Sequence, residues 1–167
     1  MHPRIRPATV LDLEAALAMK DAAWRETYGG LVPDEVLAGL DARRPAAVQR
    51  WEQRLLDGAY LWLALDGDDV VGVASAGPRH DDDDVDVLLE LQMLYLLDRV
   101  KGTGLAQVLL TTTLGDVDAY LWVLAGNERA IAFYRKQGFE PDGATKSVAG
   151  MPGEVRELRM VRTSWAG

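Results

Sequence analysis

"RVKGTGLAQVLL", Arg99 to Leu110, decides how this chain is read. Gly102 and Gly104 stand between an apolar run that ends at Leu97 and a second apolar segment that opens at Leu105. Glycine carries an entropic cost wherever it is held, so a pair at a strand-to-helix junction permits something a side chain would block. Two explanations fit. The glycines relieve a tight turn, or the bare amides at the helix start receive an anion such as a diphosphate, which the helix dipole favours. A dinucleotide fold would place G-x-G-x-x-G early in the chain with an acidic residue about 20 positions later. Here the glycines fall past mid-chain as G-x-G alone, which weakens that reading.

Working outward, "VLLELQMLYLL" before the loop is too continuously apolar for an edge strand and reads as a central one. "YLWLALDGDDVVGVASAG" has two apolar runs separated by Asp and Gly, a hairpin signal. "RIRPA" reads as a first strand, and "TVLDLEAALAMKDAAWRETY" as a helix that Thr9 or Asp12 could cap. Pro33 to Leu40 and Arg44 to Leu56 read as two more helical pieces, with Val48, Trp51, Leu55 and Leu56 on the buried face of the second. After the loop, the spacing predicts a helix from Gly104 to about Leu114, a strand at "AYLWVL", and a helix in "NERAIAFYRKQG". Asn127 suits its N-cap, Ala130, Ile131, Phe133 and Tyr134 its apolar stripe, and Gly138 its stop. Strands near Phe139 to Val148 and Val155 to Val161 close the chain around "AGMPGE". The expected fold class is α/β (α+β): a mixed central sheet of about seven strands flanked by helices, in one domain over residues 1–167.

Composition narrows the chemistry. The 167 residues contain no cysteine and only two histidines, His2 and His80, so thiolate chemistry is excluded and no metal site is expected. A net charge of −8 opposes general binding to nucleic acid or anionic membrane, so local geometry must hold any phosphate. "MHPRIRPATV" lacks the apolar core of a secretion signal, and no later run approaches the ~20 apolar residues of a membrane span. A soluble, cytoplasmic protein is the expectation.

A second segment, "LWVLAGNERAIAFYRKQGF", places an asparagine at a strand end, a helix, and a tyrosine seven residues after the asparagine. With the glycine loop upstream of it, the chain resembles the GCN5-related N-acetyltransferase (GNAT) superfamily, which transfers an acyl group from acyl-coenzyme A to an amine. The resemblance runs from "IRPAT" through the Trp24, Tyr28, Gly30 and Pro33 region to the last two strands. It implies a GNAT-type acyl-CoA N-acyltransferase fold, opened between the Glu90 strand and the Trp122 strand to hold acetyl-CoA. The family's loop pattern, Gln or Arg, two residues, Gly, one residue, Gly or Ala, falls on Lys101, Gly104 and Ala106. By that match Lys101, Gly102, Thr103, Gly104, Leu105, Ala106 and Gln107 are the expected contacts of the coenzyme A diphosphate. Leu94, Tyr95 and Leu96 are expected to pair their backbone with the pantetheine arm, Asn127 to hydrogen-bond it, and Tyr134 to protonate the departing thiolate.

A thioester attacked directly by a neutral amine needs positioning, a place for developing negative charge and a proton source for sulfur. A strand amide near Leu96 suits the second need and a phenol the third. The amine also needs a base. Glu90 lies within an otherwise apolar strand, where an unpaired carboxylate is expensive, so it faces a wet cleft or has a partner. It matches the glutamate that histone-acetylating members use as general base. The later glutamate used by ribosomal-protein-acetylating relatives falls here on Trp122. Taken alone, Glu90 also fits an ion-paired strand position, and Tyr134 a half-buried core aromatic.

Lys101 departs from the family's Gln or Arg, and Asp98 stands where a proline is common. Arg99, Lys101, Arg135 and Lys136 form a basic set that either neutralises phosphate or is simply solvated. Asp81 to Asp84 and Asp86 form an acidic run beside the expected acceptor entrance, either a cation attractor or a solvated loop. Trp24, Tyr28 and Trp51 either shape the acceptor pocket or belong to the core. The expected activity is transfer of an acetyl group from acetyl-CoA to a primary amine of a small molecule or peptide in a ternary complex. The alternatives are an acyl-CoA-binding sensor with little turnover and a nucleotide-binding regulatory domain; a homodimer fits such domains.

Overall fold

The computed structural model describes residues 3–80, 83–148, 150–151 and 154–164. Seven strands form one sheet: β1 (Arg4–Pro7), β2 (Trp62–Asp66), β3 (Asp69–Pro78), β4 (Leu89–Leu96), β5 (Ala119–Leu124), β6 (Glu140–Ser147) and β7 (Arg156–Arg162), in the order β1-β2-β3-β4-β5-β7-β6. Only β4 and β5 run parallel. The glycine loop and the following helix form the crossover between them, because parallel neighbours cannot be joined by a tight turn.

Helices α1 (Leu13–Tyr28), α2 (Asp34–Ala38) and α3 (Leu40–Leu56) lie between β1 and β2 in the chain. Leu13, Ala16, Leu17 and Trp51 pack with Leu61, Leu63 and Val73, so α1 and α3 cover one face of the β2–β4 half. Helices α4 (Leu105–Leu114) and α5 (Glu128–Lys136) cover the opposite face: Leu110, Leu114, Ile131 and Tyr134 pack on Leu91, Leu121, Val123 and Met160. Each fully buried leucine in these layers contributes on the order of 2 kcal/mol. No helix among the described residues is long and apolar enough to cross a membrane.

Several local expectations need correction. α3 begins at Leu40 rather than Arg44 and runs through Pro45, whose missing N–H forgoes one intrahelical bond in the second turn. Val48, Trp51 and Leu55 do turn inward, but Leu56, the last helical residue, is 72% exposed and lies outside the core packed against α3. At the entry to α1, Asp12 accepts from the Thr9 amide at 2.8 Å and pairs with Arg6 at 2.8 Å, so carboxylate and strand β1 are tied together. Half of "AGMPGE" (149, 152 and 153) and part of the acidic run (Asp81 and Asp82) lie outside the described residues.

Candidate active site

β4 and β5 stay paired for only two rungs, Glu90 with Tyr120 and Leu91 with Leu121. The register of β4 against β3 shifts between Ser75 and Ala76, which leaves Gln92 as the extra residue of a bulge. A bulge bends its strand and sharpens the local twist, so β4 turns away from β5 at the point where their pairing stops. Met93 to Leu96 therefore keep β3 as a partner but have none on the β5 side. The Leu97 amide bonds the Val71 carbonyl on β3 at 3.0 Å, and strand alternation accordingly turns the polar groups of Leu96 and Leu94 into the opening. A cavity of about 330 Å³ fills the gap.

At the wide end of this cleft stands the glycine loop. Gly102 has φ +82° and Gly104 φ +87°, and a Cβ placed on either would meet no atom within 4 Å. The left-handed backbone thus requires glycine, while the space in front of it is open. Thr103 Oγ1 donates to the Val100 carbonyl at 2.7 Å, which pins the turn. Among the described residues the amides of Gly102, Thr103, Gly104 and Ala106 have no hydrogen-bond acceptor within the protein. The Leu105 amide reaches Thr103 Oγ1 only at 3.4 Å, whereas the Gln107 amide is already committed to the Gly104 carbonyl. Four unused donors around the start of α4 form a cradle suited to one or two phosphates.

The cations expected beside this loop are mostly engaged. Lys101 Nζ bonds Thr27 Oγ1 at 3.0 Å and pairs with Asp98, so the lysine crosses from the loop to α1 along the cavity wall. Arg99 pairs with Asp66 and Asp69, and Arg135 with Glu140. The loop amides, rather than this basic set, are the groups left without partners among the described residues.

α5 brings two of the predicted residues to the cleft. Asn127 Oδ1 accepts from the Ala130 amide at 3.2 Å as the N-cap, which leaves the Asn127 amide group to face the cavity. Tyr134 lies two turns along, packed edge-on to Phe133 and Phe139, with its ring on the cavity wall. Burial, with the nearby Tyr95, pushes the Tyr134 phenol well above the usual tyrosine value, so it holds its proton at neutral pH. Its hydroxyl makes no hydrogen bond among the described residues and is free to donate.

The narrow end is polar. Glu90 is 7% exposed, its Oε2 has no hydrogen-bond partner among the described residues, and His80 Nε2 approaches that oxygen to 3.4 Å. Burial raises the Glu90 carboxyl above its ordinary value; Asp83 adds to the rise, while His80, Lys146 and Tyr120 oppose it. Glu90 thus lines the cavity and has His80 as its nearest basic neighbour. Asp83, in the run that reads as either a cation attractor or a solvated loop, is buried. The Tyr120 hydroxyl donates to its Oδ2 at 2.7 Å and Trp122 Nε1 at 3.2 Å. Asp84 and Asp86 remain exposed.

Trp24 and Tyr28 line the cavity and meet edge-on with centroids 5.0 Å apart, with Tyr95 completing the cluster. Trp51 belongs to the core instead, with the Arg54 guanidinium 4.1 Å above its ring. Sequence reasoning missed His80, Gln92, Lys146 and Glu157 as site residues. Lys146 lies 4.0 Å from the Trp122 ring centre and 3.7 Å from Asp83, and Glu157 is its register partner across β6 and β7. No local pattern marks these positions: strand pairing brings Gln92, Lys146 and Glu157 to the cavity, and the Tyr120 hydroxyl holds the His80 backbone beside Glu90.

Comparison with known proteins agrees with this geometry. The family model for the acetyltransferase (GNAT) domain matches residues 57–141. A protein of Mycobacterium tuberculosis named as a probable N-acetyltransferase is 27% identical over 148 residues, covering 85% of this chain and 82% of its own. The crystal structure of a ribosomal-protein-alanine N-acetyltransferase from Brucella melitensis is 30% identical, with TM-score 0.71 over 96% of this chain and 99% of that one. The PaiA N-acetyltransferase of Thermoplasma acidophilum, solved in complex with coenzyme A, shares the fold at TM-score 0.73 and 18% identity, over 98% and 99% of the two chains.

Proposed function

This chain belongs to the GNAT acetyltransferase family, and from that premise we propose that it moves the acetyl group of acetyl-CoA directly to a primary amine held in the same cleft. The observation that carries this reading is the parting of β4 from β5 after Leu91, with unused loop amides at one end and a buried carboxylate at the other. Acetyl-CoA supplies, when bound, an acyl group already activated by a good leaving thiolate.

The residues of this chain do the rest. Gly102, Thr103, Gly104 and Ala106 offer amides to the diphosphate, with Lys101 and Leu105 beside them, and Gln107 contributes position rather than its amide. Leu94 and Leu96 offer strand amides and carbonyls to the pantetheine arm, while Tyr95 turns its ring toward Trp24. The Asn127 side-chain amide donates to the same arm. A strand amide of β4 receives the negative charge that develops on the acyl oxygen. Glu90, whose proton affinity burial has raised, takes a proton from the amine, and Tyr134 gives one to sulfur. With no cysteine in the chain, direct transfer in a ternary complex fits better than an acyl-enzyme.

Acetylation assays with a panel of amines test the reading, with thiol release as readout. Glu90→Gln and Tyr134→Phe should each retain acetyl-CoA binding and lose turnover. Binding of acetyl-CoA with no turnover on any amine would favour a sensor instead.

A further inference from the structure

Glu90 is buried at the narrow end of the cleft, and a base in that position faces a difficulty beyond accepting a proton. Each turnover would leave one proton on a carboxylate that solvent scarcely reaches, and the carboxylate must be emptied before the next amine arrives. The exit visible in the fold is His80. Its Nε2 stands 3.4 Å from Glu90 Oε2, an oxygen with no hydrogen-bond partner among the described residues, while its side chain is 70% exposed. One end of the imidazole therefore meets the buried carboxylate and the other meets water.

His80 is also held. Its backbone N–H donates to the Tyr120 hydroxyl at 3.2 Å, and that hydroxyl donates to buried Asp83 at 2.7 Å. Tyr120 is the register partner of Glu90 on β5, so the clamp that fixes His80 is built on the same rung as the carboxylate it approaches. An exposed histidine on an untethered loop would have no such relation to a particular buried oxygen.

We propose that His80 is a proton-relay residue, taking from Glu90 the proton that the acceptor amine has lost and passing it to solvent. The steps balance. The amine N–H bond breaks as a Glu90 O–H bond forms; that O–H bond breaks as an Nε2–H bond forms; the resulting imidazolium gives a proton to water or buffer. An imidazole has two ring nitrogens, so it can accept a proton at one and release a proton from the other. The other groups facing Glu90 do not serve. Arg54 on α3 donates to Gln92, Lys146 on β6 is held between Asp83 and the Trp122 ring, Tyr120 on β5 is committed to Asp83, Asp83 accepts from two donors besides the Lys146 contact, and Glu157 on β7 is itself half-buried in the cavity.

The inference rests on the reading of Glu90 as the base, and the test separates the two. Turnover of acetyl-CoA is measured with 2-phenylethylamine, spermidine and an alanine-initiated peptide as acceptors. His80→Gln keeps an amide nitrogen near the place of Nε2 but cannot relay, so kcat should fall about 10-fold while the KM for acetyl-CoA stays constant. In His80→Ala the rate should become dependent on buffer concentration and recover with added imidazole, which a merely structural role would not produce. Wild-type kcat in His80→Gln across the pH range, or a slow His80→Ala that ignores both buffer and imidazole, overturns the relay and leaves the proposed function standing. Failure of the wild-type protein to acetylate any of the three amines overturns both.

Discussion

The Tyr120 hydroxyl donates to Asp83 Oδ2 at 2.7 Å across 37 residues of chain, and this bond fastens the segment before β4 to the floor of the cleft. Burial would raise the Asp83 carboxyl, but the Tyr120 and Trp122 donors and the Lys146 charge hold it below its ordinary value. Asp83→Ala removes an acceptor from two buried donors and should cost about 2–3 kcal/mol, measured by urea unfolding. Asp84→Ala, at an exposed neighbour, should change stability by less than about 0.5 kcal/mol. Equal losses would show that Asp83 is not the anchor.

Gly102→Ala and Gly104→Ala meet no steric obstacle, yet each forces a side chain into the left-handed region at a cost of roughly 1–2 kcal/mol. Both methyl groups would project into the space in front of the loop amides. Calorimetric titration should therefore show weakened acetyl-CoA binding in both variants, by more than their loss of stability explains. Affinity equal to wild type would place the coenzyme elsewhere.

Tyr134→Phe removes a hydroxyl that makes no hydrogen bond among the described residues while keeping the ring between Phe133 and Phe139. The melting temperature should hold within a few degrees, and kcat should fall about 100-fold. A variant that melts early but turns over normally would assign Tyr134 to packing alone.

Glu90 gives a pH prediction with a definite sign. Its folded-state proton affinity is raised, so the native protein binds this proton more tightly than the unfolded chain, and the residue's contribution to stability falls as pH rises through that interval. Glu90→Gln should be at least as stable as wild type at pH 8, with the difference shrinking toward acid pH. In kinetics, kcat/KM should rise with pH along a limb displaced above the ordinary carboxylate range, and Glu90→Gln should abolish that limb.

Asp12 titrates in the opposite direction. The Arg6 hydrogen bond leads in holding its carboxyl far below the usual range, aided by the Thr9 amide and hydroxyl and opposed by burial. Its contribution is present above the unfolded pKa and is lost only as pH falls through the depressed folded value. Asp12→Asn should cost about 1 kcal/mol at neutral pH, shrinking in strong acid, as thermal melts would record.

The residues legible from sequence alone are those whose roles are local. Gly102 and Gly104 are required by positive φ within one turn, Asn127 caps the helix that begins one residue later, and Tyr134 follows at a spacing that returns it to the same face. Glu90 was detectable for a related reason, since a carboxylate in an apolar strand is anomalous wherever the strand packs. The β2–β3 hairpin and the central place of β4 followed from hydrophobic pattern and turn chemistry, and most of the buried faces of α3 and α5 from their helical spacing.

Tertiary pairing decided the rest. The bulge at Gln92, the two-rung limit of the β4–β5 ladder, the approach of His80 to Glu90 and the burial of one aspartate in an acidic run each join segments that are remote or differently paired in the chain. Backbone dihedral demands and helix caps act over a few residues and leave a mark on composition, whereas register and cross-strand contact depend on which distant strand arrives opposite. Residue type therefore marked Gly102, Gly104, Asn127, Tyr134 and Glu90, and only the folded sheet could say what stands beside Glu90.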